Sequence, residues 1–366
     1  MSIQIQAQVL NQFSDLFHAE TLRLREVGPD EILVRIAGTG ICHTDIKVSN
    51  GYAQVPLPVV LGHEGAGIVE QAGSDVDHLV IGDHVVLTFP SCGQCAACTN
   101  EHPAYCFTGH SLSFSCEDRA GSSSLTGVNG KIHGNFFGQS SFASHVVASG
   151  SNAVKVERNL PIEKLGPLGC GFQTGAGAVL NVMQPAPGNS LAVFGSGNVG
   201  LSAIMAARIA EMDPIIAIDN REERLVLARE LGATHAINLA AEDDPGAGIR
   251  KISMGAGVSF SLDTTNNPTL VRQAFESLGN QGTCIHSGGG GKDLCFPGSH
   301  LLQGRTVKGV IQGDSNPGIF IPQLLEYFKA GQFPFDRLLT LYPLTEINKA
   351  VLDMKEGRVV KPVLRP

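Results

Sequence analysis

The chain has 366 residues, of which 43% are hydrophobic and 44 are glycine, and its formal net charge is -8. This length allows two domains with separate cores. The acidic charge argues against a nucleic-acid partner, and no apolar run is long enough to cross a membrane. The first residues lack the basic segment of a signal peptide, and nine cysteines favour metal sites over disulfides, so we expect a cytoplasmic protein.

Residues 1 to about 90 have the pattern of short strands separated by turns. Met1–Val9 alternates apolar and polar residues, which predicts a strand, and Glu31–Ile36 predicts another. The glycines of Gly38–Gly40 predict a sharp turn, and His84–Leu87 predicts a further strand. This part of the chain is therefore predicted to be all-β.

Three side chains spread along the first half of the chain, Cys42, His63 and Cys170, are of the types that hold a catalytic zinc. Two thiolates and one imidazole leave a fourth metal position open for chemistry. The carboxylate of Glu64 follows His63 directly. A single histidine is more often a core or surface residue, and Cys170, placed among small residues, has the alternative of packing as a small hydrophobe.

Thr44 and Asp45 stand next to the first of these cysteines. The Thr44 hydroxyl is close enough in sequence to reach an alcohol at the metal, and its alternative role is a helix N-cap. Asp45 is suited to accept a hydrogen bond from a ligand imidazole and so fix its tautomer. The alternative for Asp45 is to cap the same helix.

Four closely spaced cysteines, Cys92, Cys95, Cys98 and Cys106, are separated by small residues that let the backbone wrap around an ion. This spacing predicts a closed tetrahedral zinc site with a structural role. An iron–sulfur cluster is the alternative.

The next segments carry weaker patterns. Residues 107–135 are rich in glycine and serine, with a turn at Asn129-Gly130, and predict a loop that serves as a pocket lid or a subunit contact. Gly138–Val147 predicts a strand, and the run from Cys170 to Asn181 predicts a helix whose glycines allow close packing.

A buried strand, Ser190–Phe194, runs directly into Gly195-Ser196-Gly197-Asn198-Val199-Gly200 and a helix over Leu201–Ala210. A second strand, Ile215–Ile218, ends on Asp219. Strand, glycine motif, helix, strand and acid in this order predict a dinucleotide site, with the pyrophosphate at the helix N-terminus. The Asp219 carboxylate would bind the adenosine ribose and repel a 2′-phosphate, which favours NAD, although Arg221 and Arg224 could pair with that phosphate.

Strands and helices continue to alternate, which predicts a doubly wound parallel sheet. The predicted elements are a helix to Leu231, a strand near Ala236–Asn238, a strand Val258–Asp263, a helix over 268–278, a strand Gly282–Ser287, a helix Ile319–Lys329 and a strand Val360–Arg365. Ser287–Gly291 predicts either backbone that lines a nicotinamide or a plain flexible loop. Cys116, Cys284 and Cys295 have no evident ligand partners, and we expect them to be structural.

Taken together, these motifs resemble the zinc-dependent medium-chain alcohol dehydrogenases over the whole chain. Within that family, Leu165–Gly177, Phe137–Phe142 and Phe333–Asp336 are most similar to bacterial aryl-alcohol (benzyl-alcohol) dehydrogenases. The resemblance implies an α/β protein in which a Rossmann domain is inserted in a GroES-like β-barrel catalytic domain, with a cleft between them. We expect the catalytic domain at 1–171 and 313–366, its structural zinc lobe at about 90–108, and the NAD-binding domain at 172–312.

The resemblance also implies residue roles. Cys42, His63 and Cys170 would hold the catalytic zinc, and Glu64 would approach the metal transiently. Thr44 would take the alcohol proton. The side chains at the cofactor would be His43 and Lys361 at the pyrophosphate and Arg224 near the adenosine ribose. Lys47 stands where many relatives have a relay histidine, so the proton would leave through this lysine or through water.

The expected activity is oxidation of a primary aromatic or allylic alcohol to its aldehyde, with NAD and two zinc ions per subunit, one catalytic and one structural. Benzyl alcohol is the first expectation, and terpenoid alcohols such as geraniol or perillyl alcohol come next. A glutathione-dependent formaldehyde dehydrogenase and a catalytically silent dinucleotide-binding sensor are the alternatives. The expected partner is a small alcohol or aldehyde, the expected assembly a homodimer or homotetramer, and Phe89 a candidate pocket wall.

Overall fold

The computed structural model describes residues 2–118, 121–128, 130–241, 244–288 and 293–366. These ranges form two compact units. One unit contains Met1–Cys170, Asn316–Pro322 and Asp336–Pro366, and the other contains Gly171–Ser315 and Gln323–Phe335. Residues 323–335, which the predicted limits place in the catalytic domain, lie in the second unit.

The strands, in chain order, are β1 Ile3–Leu10, β2 Phe17–Leu24, β3 Glu31–Gly40, β4 Val59–Val60, β5 Gly65–Ala72, β6 His84–Leu87, β7 Leu125–Gly127, β8 Gly130–Ile132, β9 His145–Ser149, β10 Ala153–Val156, β11 Leu191–Phe194, β12 Ile215–Asp219, β13 His235–Asn238, β14 Val258–Asp263, β15 Leu278–His286, β16 Thr306–Gly309, β17 Leu339–Pro343 and β18 Lys361–Arg365. The helices are α1 His43–Ser49, α2 Ala96–Thr99, α3 Gly109–Phe114, α4 Gly171–Gly177, α5 Asn198–Ile209, α6 Glu222–Leu231, α7 Pro245–Ile252, α8 Pro268–Glu276, α9 Gly298–Leu301, α10 Pro317–Lys329 and α11 Ile347–Lys355. Among the described residues, every helix is too short or too polar to span a bilayer.

The first unit is built from two β-sheets. One has the strand order β4-β1-β2-β7-β8, and the other has the order β10-β6-β5-β3-β18-β17, with β9 also paired to β3. Their buried side chains form separate apolar clusters, one that includes Val9, Leu61 and Phe142 and one that includes Ile32 and Val85. This β-rich architecture agrees with the all-β prediction for the start of the chain.

The second unit contains a parallel sheet with the strand order β13-β12-β11-β14-β15-β16. Its central strand β11 is buried at every position, which explains its uninterrupted apolar sequence. The strand order reverses between β11 and β14, the place where dinucleotides bind in this type of sheet. The predicted doubly wound parallel sheet is confirmed.

The predicted turn at Gly38–Gly40 is wrong, because these residues continue β3. The register of β3 against β5 shifts between Ile36 and Gly38, so the glycines lie at a bulge rather than in a loop. A side chain at Gly38 would collide with the Glu163 carbonyl oxygen. Glycine is therefore required here by the close approach of a neighbouring backbone.

Two further segments differ from the predictions. Residues 138–144 are not a strand, since β9 begins only at His145 and a 3₁₀ turn covers Phe136–Gly138. The segment 107–135 contains α3, β7 and β8 as well as loop. Asn129 of its predicted turn, and Gly289–Gly291 of the predicted nicotinamide loop, lie outside the described residues.

Candidate active site and metal centres

The candidate ligands from three distant parts of the chain meet in the first unit. Cys42 is the N-cap of α1, His63 lies between β4 and β5, and Cys170 directly precedes α4. One ligand atom from each of Cys42, His63, Glu64 and Cys170 lies within 4.8 Å of all the others. The structure therefore brings together the predicted catalytic ligands and the neighbouring carboxylate.

Asp45 fixes the orientation of the His63 ring. Its carboxylate accepts a hydrogen bond from His63 Nδ1 at 3.0 Å and from the backbone N–H groups of Cys42 at 2.9 Å and Gly62 at 3.1 Å. Because a carboxylate only accepts, the Nδ1 atom carries the proton and Nε2 presents its lone pair. Nε2 is buried, with no hydrogen-bond partner among the described residues. A metal ion would satisfy this atom, and the two roles weighed for Asp45, capping and orienting, coexist.

Thr44 occupies the first turn of α1, and the N-cap of that helix is Cys42. The alternative of Thr44 as the N-cap is therefore wrong. Its hydroxyl oxygen lies 3.8 Å from the Cys42 sulfur. The predicted relay hydroxyl thus stands directly beside a candidate ligand, while His43, predicted at the pyrophosphate, is exposed at the start of the helix.

Glu64 and Lys361 form a fully buried ion pair next to the ligands. The Lys361 ammonium also donates to the Ile41 carbonyl oxygen at 3.0 Å. Burial raises the pKa of Glu64 to about 7, although the Lys361 charge opposes the shift. Gly40 leaves the space for this pair, since a side chain there would collide with the Glu64 carboxylate. The structure thus places Lys361 against Glu64, and its contact with the pyrophosphate stays a prediction.

The pKa values of the two thiols of the site shift in opposite directions. The hydrogen bond with Cys42, together with burial, raises the pKa of Cys170. A hydrogen bond from Cys170 lowers the pKa of Cys42 well below its usual range, against the effect of burial, and His63 lowers it further. Cys42 is therefore favoured as a thiolate even before a cation binds. Two sulfurs, an imidazole nitrogen and an adjacent carboxylate form a donor set that suits zinc.

The four clustered cysteines also form a complete donor set. One sulfur each from Cys92, Cys95, Cys98 and Cys106 lies within 4.8 Å of the others. The backbone N–H of Cys95 donates to the Cys92 sulfur at 3.3 Å, and that of Cys92 to the Cys106 sulfur at 3.2 Å. Backbone hydrogen bonds lower the pKa of Cys92 to about 6. Four sulfurs in this arrangement fit a closed tetrahedral zinc site.

We expect Cys98→Ser to remove the metal of this cluster and to leave the Cys42 site intact. Because structural zinc contributes directly to folding, the midpoint of thermal unfolding should fall by about 5 °C or more. Metal analysis per chain and thermal unfolding measure both effects. The control is Cys295→Ser, at an exposed cysteine outside both ligand groups found among the described residues, which should change neither quantity. Full metal content in Cys98→Ser would contradict the cluster assignment.

The glycine motif of the second unit has the geometry of a dinucleotide loop. Gly195 has φ +96, a conformation that favours glycine, and makes the turn after β11. A side chain at Gly200 would collide with the Gly195 carbonyl oxygen, so this glycine lets α5 pack on the loop. At Gly197 no described atom would lie within 4 Å of an added Cβ, so this backbone stays accessible to a pyrophosphate. Asn198 and Val199 begin α5, whose free N–H groups attract anions.

Asp219 ends β12 beside this loop. Its carboxylate accepts hydrogen bonds from the backbone N–H of Ser196 at 2.7 Å and of Arg221 at 3.0 Å. Arg224 on α6 is close enough for the Asp219 charge to act on it, although burial dominates and lowers the pKa of Arg224. The carboxylate is thus held beside the glycine loop, and its contact with the ribose stays a prediction.

Several residues around both sites were not predicted. Phe137 stacks on the His63 ring, and the Gln139 side chain bonds to the backbone on both sides of Glu64. Thr264 donates from its hydroxyl to the Gly195 carbonyl oxygen at 3.2 Å. Only the motif Phe137–Phe142, noted for its resemblance, pointed to this region, and Thr264 had no recognisable pattern. Phe89, the candidate pocket wall, is buried.

Comparison with known proteins gives matches over the full chain. Residues 28–158 match the family of alcohol dehydrogenase GroES-like domains, and residues 198–328 match the zinc-binding dehydrogenase family. A geraniol dehydrogenase of Castellaniella defragrans is 44% identical over 99% of this chain and 98% of its own length. The crystal structure of an alcohol dehydrogenase zinc-binding domain protein from Burkholderia ambifaria has a TM-score of 0.97 and 47% identity, covering 100% of this chain and 99% of that one. A benzyl alcohol dehydrogenase from Acinetobacter calcoaceticus has a TM-score of 0.96 and 42% identity, covering 99% of each chain.

A β-rich unit with two zinc-compatible ligand sets and a unit with a dinucleotide-binding sheet define a zinc-binding, nucleotide-dependent dehydrogenase. The matches make the class specific: the chain belongs to the zinc-dependent medium-chain alcohol dehydrogenase family, and its activity is the oxidation of alcohols. The predicted family, its GroES-like and Rossmann folds, and zinc with a nicotinamide dinucleotide as cofactors are thereby confirmed.

Proposed function

We propose that the protein oxidises primary alcohols whose carbinol carbon is next to an aromatic ring or a double bond, with NAD⁺ as acceptor. The observation that carries the reaction is the gathering of Cys42, His63 and Cys170 around an unbonded His63 Nε2, beside the Thr44 hydroxyl. The substrate class is supported by two relatives, one a geraniol dehydrogenase and one a benzyl alcohol dehydrogenase. Benzyl alcohol and geraniol share a hydroxyl-bearing carbon next to a π system.

In the proposed mechanism, Cys42, His63 and Cys170 would hold a zinc ion, which would supply a Lewis acid that lowers the pKa of the alcohol, and bound NAD⁺ would supply a hydride acceptor. Thr44 accepts the hydroxyl proton of the alcohol as its own proton passes toward solvent. The carbinol carbon loses a hydride, and the products are the aldehyde, NADH and one proton. Asp45 keeps the His63 proton on Nδ1, which leaves Nε2 available to bind the ion.

We assign Lys47 to the last step of this proton path, in which the proton reaches solvent. Its ammonium lies 5.7 Å from the centre of the Tyr52 ring. An ammonium that exchanges its protons with water, or water itself, would complete the transfer.

The choice of NAD⁺ over NADP⁺ in the proposal follows from Asp219. The 2′-phosphate of NADP⁺ would have to lie next to the Asp219 carboxylate, which two backbone N–H groups hold in place. The two negative charges would repel each other. Assembly as a homodimer or homotetramer, expected from the family, also belongs to the proposal, and the mass of the particle in solution distinguishes the two.

The test is a set of matched substrates. We expect kcat/KM for benzyl alcohol to exceed that for cyclohexylmethanol, and kcat/KM for geraniol to exceed that for citronellol, by at least about tenfold, which is the discrimination a shaped apolar site can supply. Each pair has similar size and differs in the π system next to the reacting carbon. The same assays with NAD⁺ and NADP⁺ should favour NAD⁺.

Equal rates within both pairs would show that the π system is not recognised and would overturn the substrate class. A strong preference for the glutathione adduct of formaldehyde would move the protein to the glutathione-dependent formaldehyde dehydrogenases. Failure to oxidise any alcohol, with dinucleotide still bound, would leave the sensor alternative.

A further inference from the structure

The turn Asn135–Ser140 lies directly against the imidazole of His63. The Phe137 ring is stacked on it, with 4.5 Å between ring centroids and 28° between the planes. The Phe136 ring meets the same imidazole edge to face, at 5.7 Å and 82°. Two aromatic side chains from one turn therefore contact a single candidate ligand.

The backbone of this turn is in an unfavourable conformation. Phe137 has φ 51 and ψ 33, in the left-handed region, and Asn135 and Ser140 have φ 61 and φ 53. Asparagine tolerates this region, but a bulky residue such as phenylalanine rarely adopts it. Such residues cost about 1–3 kcal/mol each and persist only where the surrounding structure holds them. The strain puts the Phe137 ring where it stacks on His63.

Hydrogen bonds hold the turn along both sides of His63. The Gln139 amide donates to the His63 carbonyl oxygen at 3.1 Å and accepts from the Gly65 N–H at 2.9 Å. The Ser140 hydroxyl donates to the Val60 carbonyl oxygen at 2.7 Å. The turn is thus bonded to the backbone before, at and after the ligand, and it cannot shift without moving that backbone.

A third aromatic ring supports the turn from behind. Phe114 of α3 packs edge to face against Phe137, at 5.2 Å and 69°, and against Phe136, at 5.9 Å and 77°. Among the aromatic contacts of the described residues, Phe114 reaches His63 only through these two rings. It therefore supplies a matched control: it belongs to the same cluster but does not touch the imidazole.

We propose that the turn Asn135–Ser140 is a clamp that fixes the plane of the His63 ring for metal binding, with Phe137 as the positioning residue. This inference rests on the proposed ligand role of His63. The Asp45 bond holds one ring nitrogen but permits tilting about that bond, and the stacked Phe137 ring removes the tilt. Partners that orient a metal ligand typically contribute a factor of about 10–100 to metal affinity.

The test compares Phe137→Leu with Phe114→Leu and with Phe137→Tyr. Both leucine variants lose an aromatic ring from the same cluster, so both should lower the midpoint of thermal unfolding. Only Phe137→Leu should release metal from the Cys42 site to a chelator at least about tenfold faster than the unmodified chain. The rate of metal release from the Cys92 cluster is the internal reference for the chelator experiment. In a second experiment, with Co²⁺ in the Cys42 site, the visible absorption bands should shift in Phe137→Leu alone. Phe137→Tyr, which keeps the ring, should behave as the unmodified chain.

Unchanged release from Phe137→Leu, or equal acceleration in Phe114→Leu, would overturn the clamp. If Phe137→Leu does not fold, Gln139→Met keeps the ring but removes the bonds to His63 and Gly65. Faster metal release from this variant supports the clamp, and unchanged release overturns it. An unmodified chain with no metal at the Cys42 site would instead contradict the proposed function, so the two failures are distinguishable.

Discussion

Cys42→Ser should reduce alcohol oxidation by at least about 1,000-fold, because a catalytic metal supplies several kcal/mol and each 1.4 kcal/mol is a factor of ten. Serine is a weak ligand for zinc, and the thiolate favoured at Cys42 is lost with the sulfur. Metal content should fall from two ions to one per chain. The fold should persist, because Cys42 is the N-cap of α1 and serine is a preferred N-cap residue.

Three measurements on Cys42→Ser distinguish loss of the catalytic metal from general loss of the folded protein. They are the metal content per chain, the turnover of benzyl alcohol, and the NAD⁺ affinity in a binding titration. NAD⁺ affinity should be unchanged, since the glycine motif lies in the other compact unit. Cys295→Ser, at the exposed cysteine, provides the matched control. If Cys42→Ser still turns over alcohol, the catalytic zinc assignment is wrong.

Gly197→Asn should weaken NAD⁺ binding and Gly200→Ala should lower stability, although the two glycines belong to one motif. Asparagine is a good N-cap and position 197 is open, so Gly197→Asn should fold normally but block the pyrophosphate, with NAD⁺ affinity lower by at least about tenfold, or 1.4 kcal/mol. At Gly200 an added methyl group collides with the Gly195 carbonyl oxygen. Overpacking of this kind costs about 1–3 kcal/mol, so the unfolding midpoint should fall by several degrees.

Thermal unfolding and NAD⁺ titration on both variants check this contrast. Val199→Ala, in the same first turn of α5, is a control that leaves both glycines in place. Retained NAD⁺ affinity in Gly197→Asn would show that the pyrophosphate does not approach this backbone. An unchanged midpoint in Gly200→Ala would show that α5 has room to move away from the loop.

The nucleotide loop and the cysteine cluster were predictable because each depends on residue type and short spacing. Gly195, Gly197 and Gly200 lie within six residues of one another. Their roles in the turn, in the approach of the pyrophosphate and in helix packing follow from their positions in the motif. The four clustered cysteines span only Cys92 to Cys106, so a short segment is enough to bring the sulfurs together. For Cys42, His63 and Cys170, the resemblance to a known family, rather than spacing, was the guide.

Long-range contacts were the source of the errors and omissions. Gly40 is small because the Glu64 carboxylate approaches it, and the local sequence suggested only a turn. The pairing of Lys361 with Glu64 was not predicted, because nothing near Lys361 in sequence reveals it. The stacking of Phe137 on His63 needs a left-handed phenylalanine, which no sequence pattern predicts. Each case depends on a partner far along the chain.

The two metal sites also differ in the length of chain that must be ordered before an ion can be held. The ligands of the cysteine cluster end at Cys106, whereas the other site needs Cys42, His63 and Cys170 at once. Loop-closure entropy grows with the number of residues enclosed, and contacts between distant residues form slowly during folding. A growing chain can therefore load the first ion while most of its residues are still to be synthesised. The second ion must wait until Cys170 has been synthesised and brought to Cys42 and His63, so the cysteine cluster is expected to load first.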